Sequence, residues 1–410
     1  MKLGEYIDII RGISYSSSDL KKSDDSIYLV NLKNVERGGG FRIDGLKEYS
    51  GNYKNEQLVN SGDIIIALTD LTPNGEIVGM PALIPFLEKP ACISMDLVKI
   101  QIKKGSLDKG YLYYALNTKE YKGWIRGFAS GVNVLHLNTD GILEFETSIP
   151  EDPNEQKRIA DILSAFDEKI ELNNKIIKTL EEMVQEIFKE WFVRFRFPGC
   201  QKVKFVDSEL GKIPEGWEVK KLPEIFDFLE GPGIRNWQYT TSGYRFINIR
   251  LIQNNDIDIK SANFISTEEA NGKYKHFQLQ ERDMVVSTSG TLGRSAIVRR
   301  EHLPLLLNTS VIRFRPKDKK NYAFMYQFLN SDYFKNKLLT MASGSAQPNF
   351  GPIHLKQIQI LVPSKEILNA FDNLVNPIYE KVIILKSESQ TLAALRDLLL
   401  PKLMSGEIRV

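Results

Sequence analysis

Apolar positions along this chain follow two regimes. In residues 1–150 and 201–363 they form short β-rich runs, SIYLVNL, DIIIALT and LVKIQI, then YRFINIR, DMVVSTS and SVIRFRP, separated by Gly, Asn and Ser turns. In residues 151–200 and 364–410 they follow a helical period instead. Phe166, Ile170, Asn173, Ile177, Leu180, Val184, Ile187 and Trp191 advance in steps of four and three, a heptad seam with Asn173 as its polar member. The second helix shows the spacing Phe371, Leu374, Ile378, Lys381, Leu385, Glu388, Leu392, Leu395 and Leu399, with Lys381 and Glu388 as polar members. Asp152 before Pro153, and Ser364 with Glu366, are start signals for the two helices. Pro377 predicts a kink or a break in the second.

The two regimes occur twice because the chain is written twice. Ala129-Ser130-Gly131 recurs as Ala342-Ser343-Gly344, Ile149-Pro150 as Val362-Pro363, and Leu116-Asn117 as Leu329-Asn330. Upstream, Lys2-Leu3-Gly4-Glu5 matches Lys221-Leu222-Pro223-Glu224, and Gly12 matches Gly231. Asn31 faces Asn248, and Gly62-Asp63 faces Arg282-Asp283. Downstream, Ala165-Phe166-Asp167 returns as Ala370-Phe371-Asp372. The matches are collinear, with offsets that drift as loop insertions would make them drift.

The expected architecture is therefore α+β: two similar mixed α/β domains, 1–150 and 201–363, and two long antiparallel coiled-coil helices, 151–200 and 364–410, in a pseudo-two-fold internal repeat. A helix of ~40 residues spans ~60 Å. Two such helices would space the domains, an arrangement suited to a two-fold symmetric polymer read at two places, such as duplex DNA.

Composition narrows the partners. The 410 residues are 42% hydrophobic and 26% charged, ordinary for a soluble globular chain. Cys92 and Cys200 are too few for a disulfide scaffold and fit a reducing cytoplasm. MKLGEYIDIIRG has charge within its apolar run, unlike a secretory signal, and no stretch reaches the ~18 apolar residues of a membrane span. The overall charge of +2 is uninformative, but residues 201–363 carry +7 and residues 1–150 carry −2. The charge of the second domain suits a polyanion, and equally a merely solvated face.

A search for catalysis finds none, and no metal site is expected. His136, His276, His302 and His354 are scattered, the cysteines are isolated, and zinc spacing is absent. Gly290-Thr291-Leu292-Gly293-Arg294-Ser295 lacks the Lys of a phosphate-binding loop and reads as a turn between strands. Gln347-Pro348-Asn349-Phe350 is not the motif of amino-methyltransferases.

Binding chemistry does sit in the turns. Base edges are read by Arg, Lys, Asn, Gln, Ser and Thr, and phosphates by cations and backbone amides. The candidates in the first domain are Tyr15, Ser16 and Ser17 after Gly12, with Asn31, Lys33, Asn133 and His136. Those in the second are Arg235, Asn236, Trp237 and Tyr239 after Gly231, with Asn248, Arg250, Thr288, Ser289, Arg294, Gln347 and Asn349. The equivalent loops differ completely, as they would if each half read a different sequence. Plainer roles compete: core packing for the aromatics, turn capping for Asn133, His136, Gln347 and Asn349, and strand polar positions for Asn31, Lys33, Asn248 and Arg250.

Gly211-Lys212-Ile213-Pro214-Glu215-Gly216-Trp217 resembles the entry into a target recognition domain of the specificity subunit of type I restriction-modification systems, a family that essentially the whole chain resembles. Ser343-Gly344 to Gln347, then Leu355 and Val362-Pro363, looks like the close of such a domain, and Glu155-Gln156 with Ile159 and Leu163 like the start of the central conserved helix. Arg396-Asp397-Leu398-Leu399-Leu400-Pro401-Lys402-Leu403-Met404-Ser405-Gly406-Glu407-Ile408 looks like the C-terminal signature. The resemblance implies a non-catalytic subunit whose two recognition domains each read one half of a split DNA site. It implies helices that set the gap and dock two methyltransferase (modification) subunits, with restriction subunits completing the complex. S-adenosylmethionine, ATP and Mg would belong to those partners, and none to this chain. The first domain lacks the family's entry motif. The alternatives are a coiled-coil scaffold that binds only proteins, or the specificity part of another restriction-methylation class.

Overall fold

The computed structural model describes residues 1–72, 74–103, 107–318, 321–342 and 350–410. Both long helices form: α1 spans Pro153–Phe188 and α2 spans Lys365–Met404. Asp152 caps α1, its carboxylate accepting from the Asn154 N–H at 2.9 Å, and Pro153 supplies a first residue that needs no donor. Past Phe188 the chain widens into one π turn, Lys189–Val193. Of the kink or break expected at Pro377, the break does not occur; α2 runs through it. Pro377 and Asn373 are both exposed, so the carbonyl left without its donor lies on the watered side.

The chain divides into two compact units, Met1–Glu171 with Ser389–Val410, and Leu172–Glu388. Each unit contains part of both long helices.

In the first unit an antiparallel sheet has the order Ile7–Arg11, Leu97–Ile102, Ile64–Ala67, Pro81–Leu83. A second sheet has the order Lys47–Tyr49, Ile27–Val30, Ala91–Ile93, Leu58–Val59, its middle pair parallel. Helices Lys109–Ala115 and Lys119–Arg126 follow. The core joins Ile65, Tyr111 and Tyr121 to Leu163 of α1 and Leu403 of α2.

The second unit repeats the first of these sheets strand for strand and three consecutive strands of the second, whose fourth strand lies on the opposite edge. Its antiparallel sheet runs Phe226–Glu230, Val311–Pro316, Met284–Ser287, Ser295–Ile297. Its second sheet runs Tyr239–Thr240, Asn263–Ile265, Tyr244–Phe246, Leu305–Leu306, the last pair parallel. Small details repeat too. The Asn117 and Asn330 side chains donate to Tyr113 and Tyr326 carbonyls at 2.9 and 3.0 Å. The next residues, Thr118 and Ser331, cap the following helix by accepting from Tyr121 and Phe334 N–H, both at 3.2 Å.

The Gly12/Gly231 match has a steric cause. A Cβ on Gly12 would lie 2.1 Å from the Ser94 carbonyl oxygen, and one on Gly231 would lie 2.4 Å from the Asn308 carbonyl carbon. Each glycine lets the first strand's exit cross another backbone at contact distance.

Within each unit α1 and α2 are antiparallel. In the first, Asp167 receives Arg396 and, at 2.7 Å, the Tyr114 hydroxyl. In the second, the buried Asn173 donates to Glu388 at 3.0 Å, and Ile177 packs with Val382 and Leu385. The two polar seam positions, Asn173 and Glu388, thus meet each other. On α1, Val184 is fully buried, whereas Phe166, Ile170, Leu180 and Ile187 are half-buried. The seam expected on α2 needs correction. Leu374 and Leu395 are 47% and 43% exposed, and Lys381 is exposed. The buried line is Leu368, Phe371, Val375, Tyr379, Val382 and Leu385; Ile378, Leu392 and Leu399 are half-buried. This stretch of α2 packs on the module's own aromatic core, where Phe371 meets Phe188 and Phe192 and Tyr379 meets Tyr326. It therefore buries a wider stripe than a two-helix seam requires.

Candidate nucleic-acid interface

In the second unit the sheet topology gathers the candidate loops at one end. Glu230 pairs with Ile312 and Ser287 with Val311, so two strands exit where a third begins. Residues 231–238, 288–294 and 307–310 therefore meet there. Thr309 N–H donates to the Pro232 carbonyl at 3.1 Å, and Thr288 N–H to the Ser310 carbonyl at 3.0 Å. Burial pushes the Glu230 carboxyl at this end upward.

The first of these loops is built to present side chains. Ile234 is buried beneath it. Gln238, also buried, accepts from the Arg235 N–H at 3.0 Å and donates to Glu269 at 2.9 Å and the Tyr274 hydroxyl at 3.1 Å. Between these two anchors Arg235, Asn236 and Trp237 stand in solvent, with Trp237 81% exposed. Tyr239 packs against Phe246 with ring centroids 5.1 Å apart and planes tilted by 49°, and keeps an exposed edge. Core packing, the plainer role for Trp237, is thus excluded.

Asn248 follows the parallel strand pair and caps a turn, accepting from the Arg250 N–H at 2.9 Å; Arg250 itself is exposed. Arg294 is exposed and leans on the Ile252 carbonyl at 3.4 Å. Ser289 is half-buried. Thr288 is fully buried, so it shapes the loop and does not reach a ligand. Gln347 and Asn349 lie outside the described residues.

The first unit uses the same end of its sheet. Arg11 pairs with Val98 and Ala67 with Leu97, so residues 12–19, 68–72, 74–78 and 93–96 converge. The segment 129–137 joins them through the pairing of His136 with Thr69. Ser16 and Ser17 are exposed on a turn closed by Asp19, which accepts from the Ser16 N–H at 2.7 Å. Tyr15 is half-buried, with Lys47 5.8 Å from its ring centre. Asn133, His136 and Lys33 are exposed. Asn31 needs correction: it is buried, its amide donates to the Gly45 carbonyl at 2.8 Å, and its oxygen accepts from the Lys33 N–H at 3.0 Å. All its capacity serves the turn that carries Lys33.

Sequence reasoning missed the residues that hold these loops. Asp70 is buried at the sheet end of the first unit. Burial works against its ionisation, but the N–H groups of Ile77, Thr72 and Val78 and the Thr72 hydroxyl outweigh that and hold the carboxyl below its ordinary value. The N–H groups of residues 72, 77 and 78 are gathered on this carboxylate. Gln238 had a visible signal, since Gln three residues after a turn start closes a capping box.

Among the described residues no group of three His, Cys, Asp or Glu could hold a metal ion, and no helix is long and apolar enough to cross a membrane. The arrangement offers two matched scaffolds, each presenting polar, cationic and aromatic groups from loops of unrelated sequence.

Comparison with known proteins points the same way. The family model described as the type I restriction modification DNA specificity domain matches residues 1–182 and again 214–384, once for each half of the repeat. The MjaVIII type I restriction enzyme specificity subunit of Methanocaldococcus jannaschii is 30% identical over 361 residues, covering 87% of this chain and 81% of that protein. The HindI specificity subunit of Haemophilus influenzae is 27% identical over 350 residues, covering 71% and 75%. The crystal structure of a type I restriction-modification S subunit from M. genitalium aligns with a TM-score of 0.58 at 18% identity, covering 98% of this chain and 95% of that one. This last likeness concerns the fold.

Proposed function

Because the chain belongs to the type I restriction-modification DNA specificity family and is a DNA sequence-recognition subunit, we propose that each of its two modules reads one half of a bipartite duplex site. The observation that carries this reading is the pairing of one frame with two unrelated loop sets. The strand order of the first sheet, the caps and the close-approach glycines repeat between the units, whereas 12–19 and 231–238 share nothing after their glycine. A frame kept while its reading edge diverges suits two different half-sites.

In the first module Tyr15, Ser16, Ser17, Lys33, Asn133 and His136 are the candidate contacts. In the second they are Arg235, Asn236, Trp237, Tyr239, Asn248, Arg250, Ser289 and Arg294. Exposed cations address phosphates and guanine edges, and amides address adenine. The long helices set the gap between half-sites and dock two modification subunits. The chain itself is non-catalytic and holds no cofactor. S-adenosylmethionine, ATP and Mg act in the modification and restriction subunits, and the complex works in the cytoplasm.

Single-molecule methylation sequencing of cells with and without this gene tests the reading. The expected result is loss of adenine methylation at one split motif. Unchanged methylation beside a demonstrated, active modification partner would overturn it.

A further inference from the structure

The second unit contains a charged cluster that none of the recognition loops uses. Residues 252–257 form a hairpin, Ile252–Gln253 paired with Asp256–Ile257, turned by Asn254 and Asn255 at φ of 50° and 55°. Two asparagines at positive φ make the tight turn that matches the twist of paired strands. The turn carries the hairpin tip onto the helices. The Asn255 amide donates to Glu181 of α1 at 2.9 Å, and its carbonyl accepts from Lys386 of α2 at 3.0 Å. Lys386 and Glu181 are themselves paired at 2.9 Å.

Arg299 lies beside this contact with its side chain only 2% exposed. Its guanidinium donates to both Asp256 oxygens, at 3.2 and 2.8 Å, to Glu301, and to the Ser387 hydroxyl of α2 at 3.0 Å. Ser387 in turn donates to Glu301. A bidentate guanidinium fixes orientation as well as distance. Such a cluster is weak evidence for net stability, because desolvation offsets its attraction. Its geometric definition is what distinguishes it from an apolar contact, which would let the hairpin slide.

We propose that this clamp, Arg299 with Asp256, Glu301 and Ser387 and with Asn255 seated between Glu181 and Lys386, fixes the setting of the second recognition module on the helix pair and so the strictness with which the gap between half-sites is measured. Its residues are positioning residues: they stand on the hairpin, the turn after strand Ser295–Ile297 and the helices, and touch no DNA. The inference rests on the bipartite reading of the site.

The test uses the assembled methylating complex in cells. Methylation sequencing with the wild-type chain first yields both half-sites and their gap. Two variants follow. Arg299→Met removes the hub. Lys386→Met with Ser387→Ala removes only the helix side and leaves the Arg299–Asp256 pair intact inside the module, so it retains the fold if the hub variant does not. The expected result is unchanged half-site sequences with relaxed spacing. Preference for the native gap over gaps one base pair shorter or longer should fall about tenfold, the order of one charge-assisted hydrogen bond. Unchanged gap preference in the helix-side variant would overturn the proposal while leaving the bipartite reading intact. So would loss of the second half-site sequence at an unchanged gap, which would place these residues in the reading surface. Failure of the wild-type chain to direct methylation to any split site would overturn both.

Discussion

Neighbouring substitutions in the loop at 231–238 should have opposite signatures. Trp237 is 81% exposed, so folding covers about a fifth of it. A buried Trp removes roughly 150–250 Å² from water, and at about 25 cal/mol per Å² a fifth of that is worth at most ~1 kcal/mol. Trp237→Ala should therefore leave the unfolding temperature nearly unchanged. If the ring stacks on a base or sugar, its loss should cost about 1–3 kcal/mol of DNA binding, or roughly 5- to 150-fold in affinity. The loss should be confined to sites carrying one half-site. Gln238→Ala one residue later removes a buried amide that accepts from Arg235 and donates to Glu269 and Tyr274. Leaving such partners unsatisfied costs about 1–3 kcal/mol of stability. It should lower both the unfolding temperature and the same half-site preference, because Arg235 to Trp237 lose their anchor. The assay is thermal unfolding alongside competitive binding to duplexes in which each half-site is scrambled separately. The reasoning fails if Trp237→Ala destabilises as much as Gln238→Ala, or if it weakens binding equally to every duplex.

Three further outcomes are expected. Gly231→Ala forces a Cβ to within 2.4 Å of the Asn308 backbone and should cost about 3 kcal/mol; an unfolding temperature equal to that of the wild type would show that the strand exit can move. Ile177→Asp places a carboxylate among Val382 and Leu385 and should cost about 3–5 kcal/mol, read as lost solubility or early unfolding; wild-type stability would show that the helices do not pack there. Burial, aided by Asp318 and opposed by the Phe324 N–H, pushes the Asp372 carboxyl from 3.8 up to about 7. The folded state therefore holds that proton more tightly, and the stability it contributes is full below pH 3.8 and lost as pH rises through about 7. Asp372→Asn should flatten that part of the stability profile, and an unchanged profile would remove Asp372 as its source.

The duplicated frame was legible in the chain because strands and caps leave short, local signatures. Asn117 and Thr118, repeated as Asn330 and Ser331, are visible as residues before they are visible as caps. The polar seam members Asn173 and Glu388 could be named in advance, though not as partners. The phase of α2 could not: Leu374 and Val375 fit the period equally well, and the choice between them is made by the aromatic core around Phe192 and Tyr326, which lies far away in sequence. Asn31 fails as a candidate for a related reason. An amide that reads a base and an amide that closes a turn are the same group, and only its burial against Gly45 separates them. The Arg299 cluster was invisible because its members come from the hairpin, the turn after a strand and α2; the Asn254-Asn255 turn was its one local trace.

The division of the long helices bears on the order in which this protein can fold. The second unit, Leu172–Glu388, is one uninterrupted length of chain, whereas the first borrows Ser389–Val410. Leu400, Leu403 and Met404 lie in the same core as Ile7 and Tyr111. During synthesis the N-terminal module leaves the ribosome first, yet its core stays open until the last stretch of α2 emerges. The module made later can close earlier. A released chain truncated after Glu388 should thus carry a folded second module behind a first one still exposing apolar surface.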